Sequence, residues 1–165
     1  MNPPPQRSDR AANDAAPPEG REERPRYSFE TKLLASNAAG PNARLRVRPR
    51  LTEARWSGNI DVAARIAHQL TDNAARHGRP FHNGCVVLRL TVLNSDQLLI
   101  EVDDALPEFP GFEEATGEDH QTGRGLWWVR HYRGRLTWQP KTDEDGTVVG
   151  KTVRAQVPVG WGECA

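Results

Sequence analysis

Apolar residues recur every three or four positions between residues 60 and 77, and this spacing predicts an amphipathic helix. Its apolar stripe is built from small and branched side chains, namely Ala63, Ile66, Ala67, Leu70 and Ala74. Ser57 or Asn59 can cap the N-terminus of this helix, and Gly78 is the kind of residue found just beyond a C-terminus. We therefore expect one long helix that buries this stripe against a core.

Alternating or continuous apolar runs elsewhere predict five strands, at residues 27–35, 85–93, 97–103, 136–139 and 147–157. A second helix is predicted over residues 43–56, although the alternation of Arg with Leu45 and Val47 also fits a strand, and Pro49 decides neither. Pro and Gly residues indicate a long irregular loop before a short helix at 125–132. This order predicts an α+β two-layer sandwich, in which helices cover one face of a single mixed, mostly antiparallel sheet.

The first 26 residues differ in composition from the rest of the chain. They hold six of the 13 prolines, five arginines and five acidic residues, and no Ile, Val, Leu, Phe or Trp. Such a segment buries too little apolar surface to offset the entropy lost on ordering, so we expect residues 1–26 to be a disordered tail. Residues 27–158 then form one domain, and residues 159–165 form a short C-terminal tail.

The charge balance and the cysteine content exclude several classes of protein. Lys plus Arg and Asp plus Glu both number 22, which leaves no one-signed field for binding nucleic acid or a membrane surface. No stretch approaches the roughly 20 apolar residues of a membrane span, and the N-terminus lacks the apolar core of an export signal, so we expect a cytoplasmic protein. Cys85 and Cys164 are far apart, which excludes a disulfide framework and a cysteine zinc site.

The polar face of the long helix carries the first candidate site. Gln69, Asn73 and His77 lie at successive four-residue steps in the segment HQLTDNAARHG and so share one face. Asn is mildly unfavourable in the middle of a helix because its amide competes for backbone hydrogen bonds. Asn73 therefore indicates either a side chain that meets a ligand or a solvated polar face.

Two further segments indicate a ligand that carries an amino group and an anion. Asp104 continues an apolar row at the end of a strand, so its carboxylate can accept a hydrogen bond from an exocyclic amine such as that of adenine. We interpret the neighbouring Asp103 as a strand-ending turn residue. Gly123 and Gly125 open a short helix in TGRGLWWV, where a phosphate can approach the backbone and meet free N–H groups. Arg124 can add a cationic contact to that anion.

In this order, the three segments resemble the motifs of the Bergerat-fold ATPases, the GHKL superfamily of histidine kinases, DNA gyrase and anti-sigma-factor serine kinases. The resemblance covers about residues 27–158 and is strongest to the small, single-domain serine kinases and ATP-binding regulators of actinobacterial type. It implies that Asn73, in the motif that also contains His77, binds the magnesium ion bridging the triphosphate. It also implies that Asp104 recognises the amino group of adenine.

The resemblance assigns further residues and partners. Gly123, Arg124, Gly125 and Leu126 match the glycine box that wraps the phosphates. Thr152, in the segment GKTVRAQVP, resembles a threonine of the closing strand that is expected near the adenine-binding aspartate. The implied ligands are ATP and Mg²⁺, and the implied activity is that of a protein serine/threonine kinase. The implied partner is a sigma factor or an antagonist of an anti-sigma factor, and a homodimer stays open.

Two departures from the family pattern bear on this activity. Gln69 stands where the family has its glutamate base, and a neutral amide cannot take a proton from a serine hydroxyl. The first glycine box lacks its glycines over residues 104–108, next to an acidic loop at 108–119. Three hypotheses stay open: an ATP-dependent serine kinase, a catalytically inactive module that sequesters a protein partner, and an α+β domain in which the motifs occur by chance.

Overall fold

The computed structural model of the chain describes residues 23–116 and 125–160. Its elements follow one another as β1 (Pro25–Leu34), α1 (Ala39–Glu53), α2 (Ile60–His77), β2 (Cys85–Leu93), β3 (Leu98–Asp104), α3 (Phe112–Thr116), α4 (Trp127–His131), β4 (Arg135–Thr142) and β5 (Val148–Val157). Most of the predicted N-terminal tail, part of the glycine box and the last residues of the chain lie outside the described residues, at 1–22, 117–124 and 161–165.

The five strands form one sheet in the order β1-β2-β3-β5-β4, with β5 inserted between β3 and β4. The predicted α+β class is confirmed. Every pairing among these strands is antiparallel. We expected a mixed, mostly antiparallel sheet, and the described sheet contains no parallel pair. β1 begins at Pro25, two residues before the predicted domain boundary, because Pro25 is already paired with Leu93 at the end of β2.

α2 begins and ends at the residues that its apolar stripe predicted. Oδ1 of Asn59 accepts a hydrogen bond from the N–H of Val62 at 3.1 Å and so caps the helix. The apolar face of α2 packs on β2 and β3, where Leu98, Ile100 and Val102 are completely buried. This packing places the C-terminal end of α2 over the end of β3.

α1 packs beside α2 and against β1, which confirms the helical interpretation of this segment. It begins at Ala39, four residues earlier than predicted, and buries Val47 and Leu51 completely. Pro49 lies inside the helix on its exposed side and does not end it. In the described part of the chain, no helix is both long enough and apolar enough to cross a membrane.

Candidate functional site

A small cavity lies where the C-terminal half of α2, the loop after β3 and strand β5 meet. Its volume is about 70 Å³, and it is lined by Asn73, His77, Leu106, Glu108, Phe109, Pro110 and Lys151. Two of these residues, Asn73 and His77, were predicted from the polar face of the helix. Ligand sites for drug-sized molecules usually measure about 300–1,000 Å³, so a nucleotide requires this wall to move.

Asn73 is the polar side chain that α2 buries in this cavity. It is only 4% exposed, and within the described residues its Oδ1 has no hydrogen-bond partner. Two other buried atoms lack a described hydrogen-bond partner, the hydroxyl of Thr71 and Oδ2 of Asp104, but neither residue lines the cavity. A buried acceptor left without a donor is unfavourable by about 1–3 kcal/mol. Oδ1 of Asn73 is therefore suited to a cation or a donor supplied by a ligand.

Asp104 lies behind the cavity wall and is paired with Lys151. Its carboxylate is completely buried, and Nζ of Lys151 lies 3.0 Å from Oδ1 and 2.9 Å from Oδ2. The N–H of Leu106 donates to the same Oδ1 at 2.8 Å. Lys151 is itself only 3% exposed, so this ion pair is dry. The carboxylate predicted to read an amino group is thus already engaged by an amine of the chain.

Gly78 allows the end of α2 to touch Asp104. A Cβ at Gly78 would lie 2.5 Å from Cγ and 2.6 Å from Oδ2 of Asp104, which is closer than any side chain permits. The C-terminus of a helix carries partial negative charge, which disfavours a carboxylate beside it. Lys151 supplies a positive charge beside this carboxylate.

Gly125, which belongs to the predicted glycine box, contacts α2 at Gln69. Gly125 has a φ of +70°, a left-handed conformation that favours glycine. A Cβ at Gly125 would overlap Oε1 of Gln69, so the backbone here packs directly on that amide. Gln69 lies one helical turn before Asn73. Gly125 and Asp104 therefore both lie beside α2, at Gln69 and at Gly78 respectively, but neither lines the cavity with Asn73.

Other residues of the predicted glycine box contribute differently. Gly123 and Arg124 lie outside the described residues. The side chain of Leu126 is completely buried in the hydrophobic core, so it packs rather than contacting a ligand.

Thr152 lies on the opposite face of the sheet from the cavity. The register of β3 and β5 pairs Asp104 with Lys151 and Asp103 with Thr152, and successive strand residues point to opposite faces. Oγ1 of Thr152 accordingly donates to Oδ1 of Asp103 at 2.7 Å. The structure therefore places this threonine beside the neighbour of Asp104 rather than beside Asp104 itself.

Asp103 is a structural carboxylate, and our interpretation of it as a turn residue is wrong. It is completely buried, and it accepts hydrogen bonds from Nη2 of Arg89 at 2.6 Å and Nζ of Lys141 at 2.9 Å, besides that of Thr152. Burial alone raises the pKa of Asp103, but the bonds from Arg89, Thr152 and Lys141 outweigh it and hold the pKa below its usual value.

A magnesium ion bound together with a nucleotide fits the donor at Asn73. Among the described residues, no three His, Cys, Asp or Glu side chains form a group that could hold a metal. Mg²⁺ in nucleotide sites needs only one or two protein oxygens, because phosphates and waters complete its octahedron. The unpartnered amide oxygen of Asn73 can supply one such ligand.

Sequence reasoning missed the residues that form the other wall of the cavity. Phe109 is 7% exposed and packs edge-on against Phe112, with ring centres 5.0 Å apart, so the start of the acidic loop is part of the core. Lys151 could have been noticed, because strand alternation places it on the same side as the buried Val153. Neither models of known protein families nor curated proteins match this chain.

Proposed function

We propose that this chain is an ATP- and magnesium-binding regulatory domain of the Bergerat type, as the resemblance of its three segments implies. The observation that carries the proposal is the buried, unpartnered Oδ1 of Asn73 on the wall of a cavity. An acceptor in that state gains most from a ligand that brings a cation. Asn73 would hold the magnesium ion, and the ion would supply neutralisation of the phosphate charge.

The arrangement along α2 supports a nucleotide rather than a smaller anion. Gln69 and Gly125 meet at one end of the polar helix face, and Gly78 and Asp104 meet at the other. Asn73 lies between these ends. A nucleotide also has two unlike ends, and its phosphates suit the glycine-lined end, where the backbone can approach closely. Its base suits the end at Asp104, where a carboxylate offers an acceptor.

The side chain at position 69 favours a second candidate function, a module that binds nucleotide and sequesters a protein partner without phosphorylating it. Gln69 packs on Gly125, where the family has its base, and a neutral amide orients a group but accepts no proton. The partner implied by the resemblance is a sigma factor or an antagonist of an anti-sigma factor, in the cytoplasm. If phosphoryl transfer occurs, the protein contributes positioning and charge neutralisation.

Titration of a fluorescent ATP analogue, with and without Mg²⁺, tests nucleotide binding. We expect the wild type to bind more tightly with Mg²⁺, and we expect Asn73→Ala to lose roughly tenfold or more of that gain. Asn73→Ala should fold at least as stably as the wild type, because it removes a buried acceptor without a partner. Asn42→Ala, at an exposed position of α1, is the matched control and should bind as the wild type does.

Two results would contradict the proposal. One is the absence of binding at millimolar nucleotide, and the other is an Asn73→Ala variant whose affinity responds to Mg²⁺ as the wild type does. Incubation with γ-labelled ATP and a candidate partner separates the two functions, because label on a partner serine excludes the inactive module. Gln69→Glu should raise the labelling rate if the base alone is missing.

A further inference from the structure

We propose that a second cavity, beyond the C-terminus of α2, binds small carboxylic acids that carry an aromatic ring. Its volume is about 480 Å³, within the range of about 300–1,000 Å³ that is usual for small-molecule sites. The α2–β2 connection, the loop after β3 and the start of β5 line it with Arg79, Pro80, Phe81, His82, Ala105 and Val149. None of these residues lines the cavity at Asn73, so the proposal is independent of nucleotide binding.

The charge of the second cavity comes from Arg79. It is the one Lys or Arg among the lining residues, and within the described part of the chain no Asp or Glu lines this cavity. The side chain of Arg79 is exposed and has no hydrogen-bond or ion-pair partner among the described residues. A guanidinium group presents its N–H donors in a planar fork that matches a carboxylate. A single cation of this kind favours a ligand with one carboxylate group.

The remaining walls favour an aromatic body for that ligand. Phe81 and Val149 are half-buried, yet neither belongs to the hydrophobic core or to the residues packed against it. Pro80 and Ala105 add further apolar surface to the same cavity. A ligand ring can therefore stack on the ring of Phe81 and cover apolar surface that the core leaves uncovered.

Hydrogen bonds of the backbone hold the walls in place. The N–H of Ala105 donates to the carbonyl oxygen of Arg79 at 2.7 Å and so joins the α2–β2 connection to the loop after β3. The N–H of Phe81 donates to the carbonyl oxygen of Cys85 at 3.0 Å, and the N–H of Gly84 donates to the carbonyl oxygen of Phe81 at 2.8 Å. Walls that are fixed before a ligand arrives reduce the entropy lost on binding.

Gly150 brings the start of β5 up to the loop after β3. A Cβ at this position would overlap the carbonyl oxygen of Asp104 and would lie 3.1 Å from Cα of Ala105. The absence of a side chain at Gly150 therefore sets the distance between Ala105 and the neighbouring Val149. The three lining segments form one frame, and the described structure contains the cavity already formed.

The test is a titration of the isotopically labelled protein with phenylacetate, followed by NMR in the absence of nucleotide. An acid of this size should bind with a dissociation constant of about 1–10 mM. The largest changes in chemical shift should occur at the amides of His82, Ala105 and Val149. Phenylacetamide keeps the ring but lacks the charge, and it should bind roughly threefold to fivefold more weakly.

Arg79→Gln should lower the affinity for phenylacetate to that for phenylacetamide and leave the affinity for the amide unchanged. This variant should fold as the wild type does, because the replaced side chain is exposed and has no partner among the described residues. Arg76→Gln is the matched control, since Arg76 is an exposed arginine of the same helix end that pairs with Asp72 and does not line the second cavity. Phe81→Ala should weaken the binding of acid and amide alike, because it removes a wall that both ligands share.

Several outcomes would overturn the inference. Equal affinities of the wild type for acid and amide remove the role of Arg79, and so does an Arg79→Gln variant that binds the acid as the wild type does. Changes in chemical shift confined to residues outside the second cavity, or no binding at tens of millimolar acid, remove the site itself. Because the titration contains no nucleotide, these failures leave the proposed ATP binding untouched. ATP with Mg²⁺ should not displace phenylacetate, and displacement would mean that the two cavities are not separate sites.

Discussion

Asp103 and Asp104 are neighbours in β3, and the alternation of the strand sends their carboxylates to opposite faces of the sheet. Both are completely buried. Asp103 is bound by Arg89 and Lys141 from two other strands and by the hydroxyl of Thr152. Asp104 is paired with one cation, Lys151, and it is Lys151 that lines the cavity.

The difference shows that burial does not decide what a carboxylate does. Asp103 already accepts hydrogen bonds from Arg89, Lys141 and Thr152, so a ligand has no free acceptor to bind there. Asp104 is held by one cation and, through Oδ1 alone, by the N–H groups of Leu106 and Arg79, and it lies behind the wall of the cavity. In this molecule, the two buried carboxylates differ in the number of cations that bind them.

The largest expected effect is on stability, from Asp103→Ala. Removal of this carboxylate leaves Arg89 and Lys141 without their shared partner, and breaking a buried ion pair is unfavourable by about 3–5 kcal/mol. Because both cations are partly exposed, we expect the free energy of unfolding, measured with urea, to fall by about 3 kcal/mol. Affinity for nucleotide in the folded protein should not change.

Glu30→Ala is the control for this prediction. Glu30 is an exposed residue of the same sheet face, 3.6 Å from Arg89, and its loss should lower the free energy of unfolding by less than about 1 kcal/mol. Equal losses in the two variants would mean that the buried ion pairs of Asp103 stabilise the fold no more than the exposed pair of Glu30 does.

A smaller effect should appear on the cavity side with Gly125→Ala. A left-handed backbone is unfavourable for alanine by about 1–2 kcal/mol, and the new Cβ would also displace Gln69. Gly146→Ala is matched to it, because Gly146 has a φ of +78° but no atom within 4 Å of the added Cβ. We expect similar losses of stability in both variants and weaker nucleotide binding in Gly125→Ala alone, by the same titration. Weaker binding in both would contradict this placement of the glycine box.

The smallest effect is a dependence of the free energy of unfolding on pH. One contribution comes from His68 in the helix layer and another from Asp103 on the opposite face of the sheet. Burial against α1 lowers the pKa of His68 below its ordinary value of 6.5, and the pKa of Asp103 is held below 3.8. For both groups the folded pKa is depressed, so each contribution is present above the ordinary pKa and is lost as the pH falls through the folded value.

Acidification should therefore weaken the fold in two steps, measured by urea unfolding at a series of pH values. The first step lies below about pH 6.5 and should be absent in His68→Gln. The second lies below about pH 4 and should shrink in Asp103→Ala without vanishing, because burial raises the pKa of Asp96 but hydrogen bonds from Ser57 and Arg26 outweigh it and hold that pKa below its usual value as well. A first step that persists in His68→Gln would assign it to another group.

The sequence predicted the parts of this fold that depend on local pattern. The apolar stripe and the cap at Asn59 sufficed to place α2 at both ends, because a helix of 18 residues repeats its signal five times. Helix periodicity also sufficed to place Gln69 and Asn73 on one face of α2. α3, with only five residues, is too short to show a period.

The features that the sequence did not predict depend on which strands become neighbours. β5 pairs with β3 over a separation of 47 to 59 residues, and this register alone decides that Lys151, not Thr152, meets Asp104. Alternation identifies the face that a side chain takes, but not the residue it finds there. For that reason the sequence indicated a free carboxylate where the structure has an ion pair.

The position of β5 also constrains how the protein is made. The strand that carries Lys151 is the last one in the described chain, yet it occupies an interior place in the sheet, between β3 and β4. On a ribosome, β2 and β3 can pair as a hairpin and β1 can join β2 once both have emerged, whereas β4 has no neighbour until β5 has been synthesised. The cavity therefore lacks the wall that Lys151 provides until β5 has been synthesised and has entered the sheet between β3 and β4.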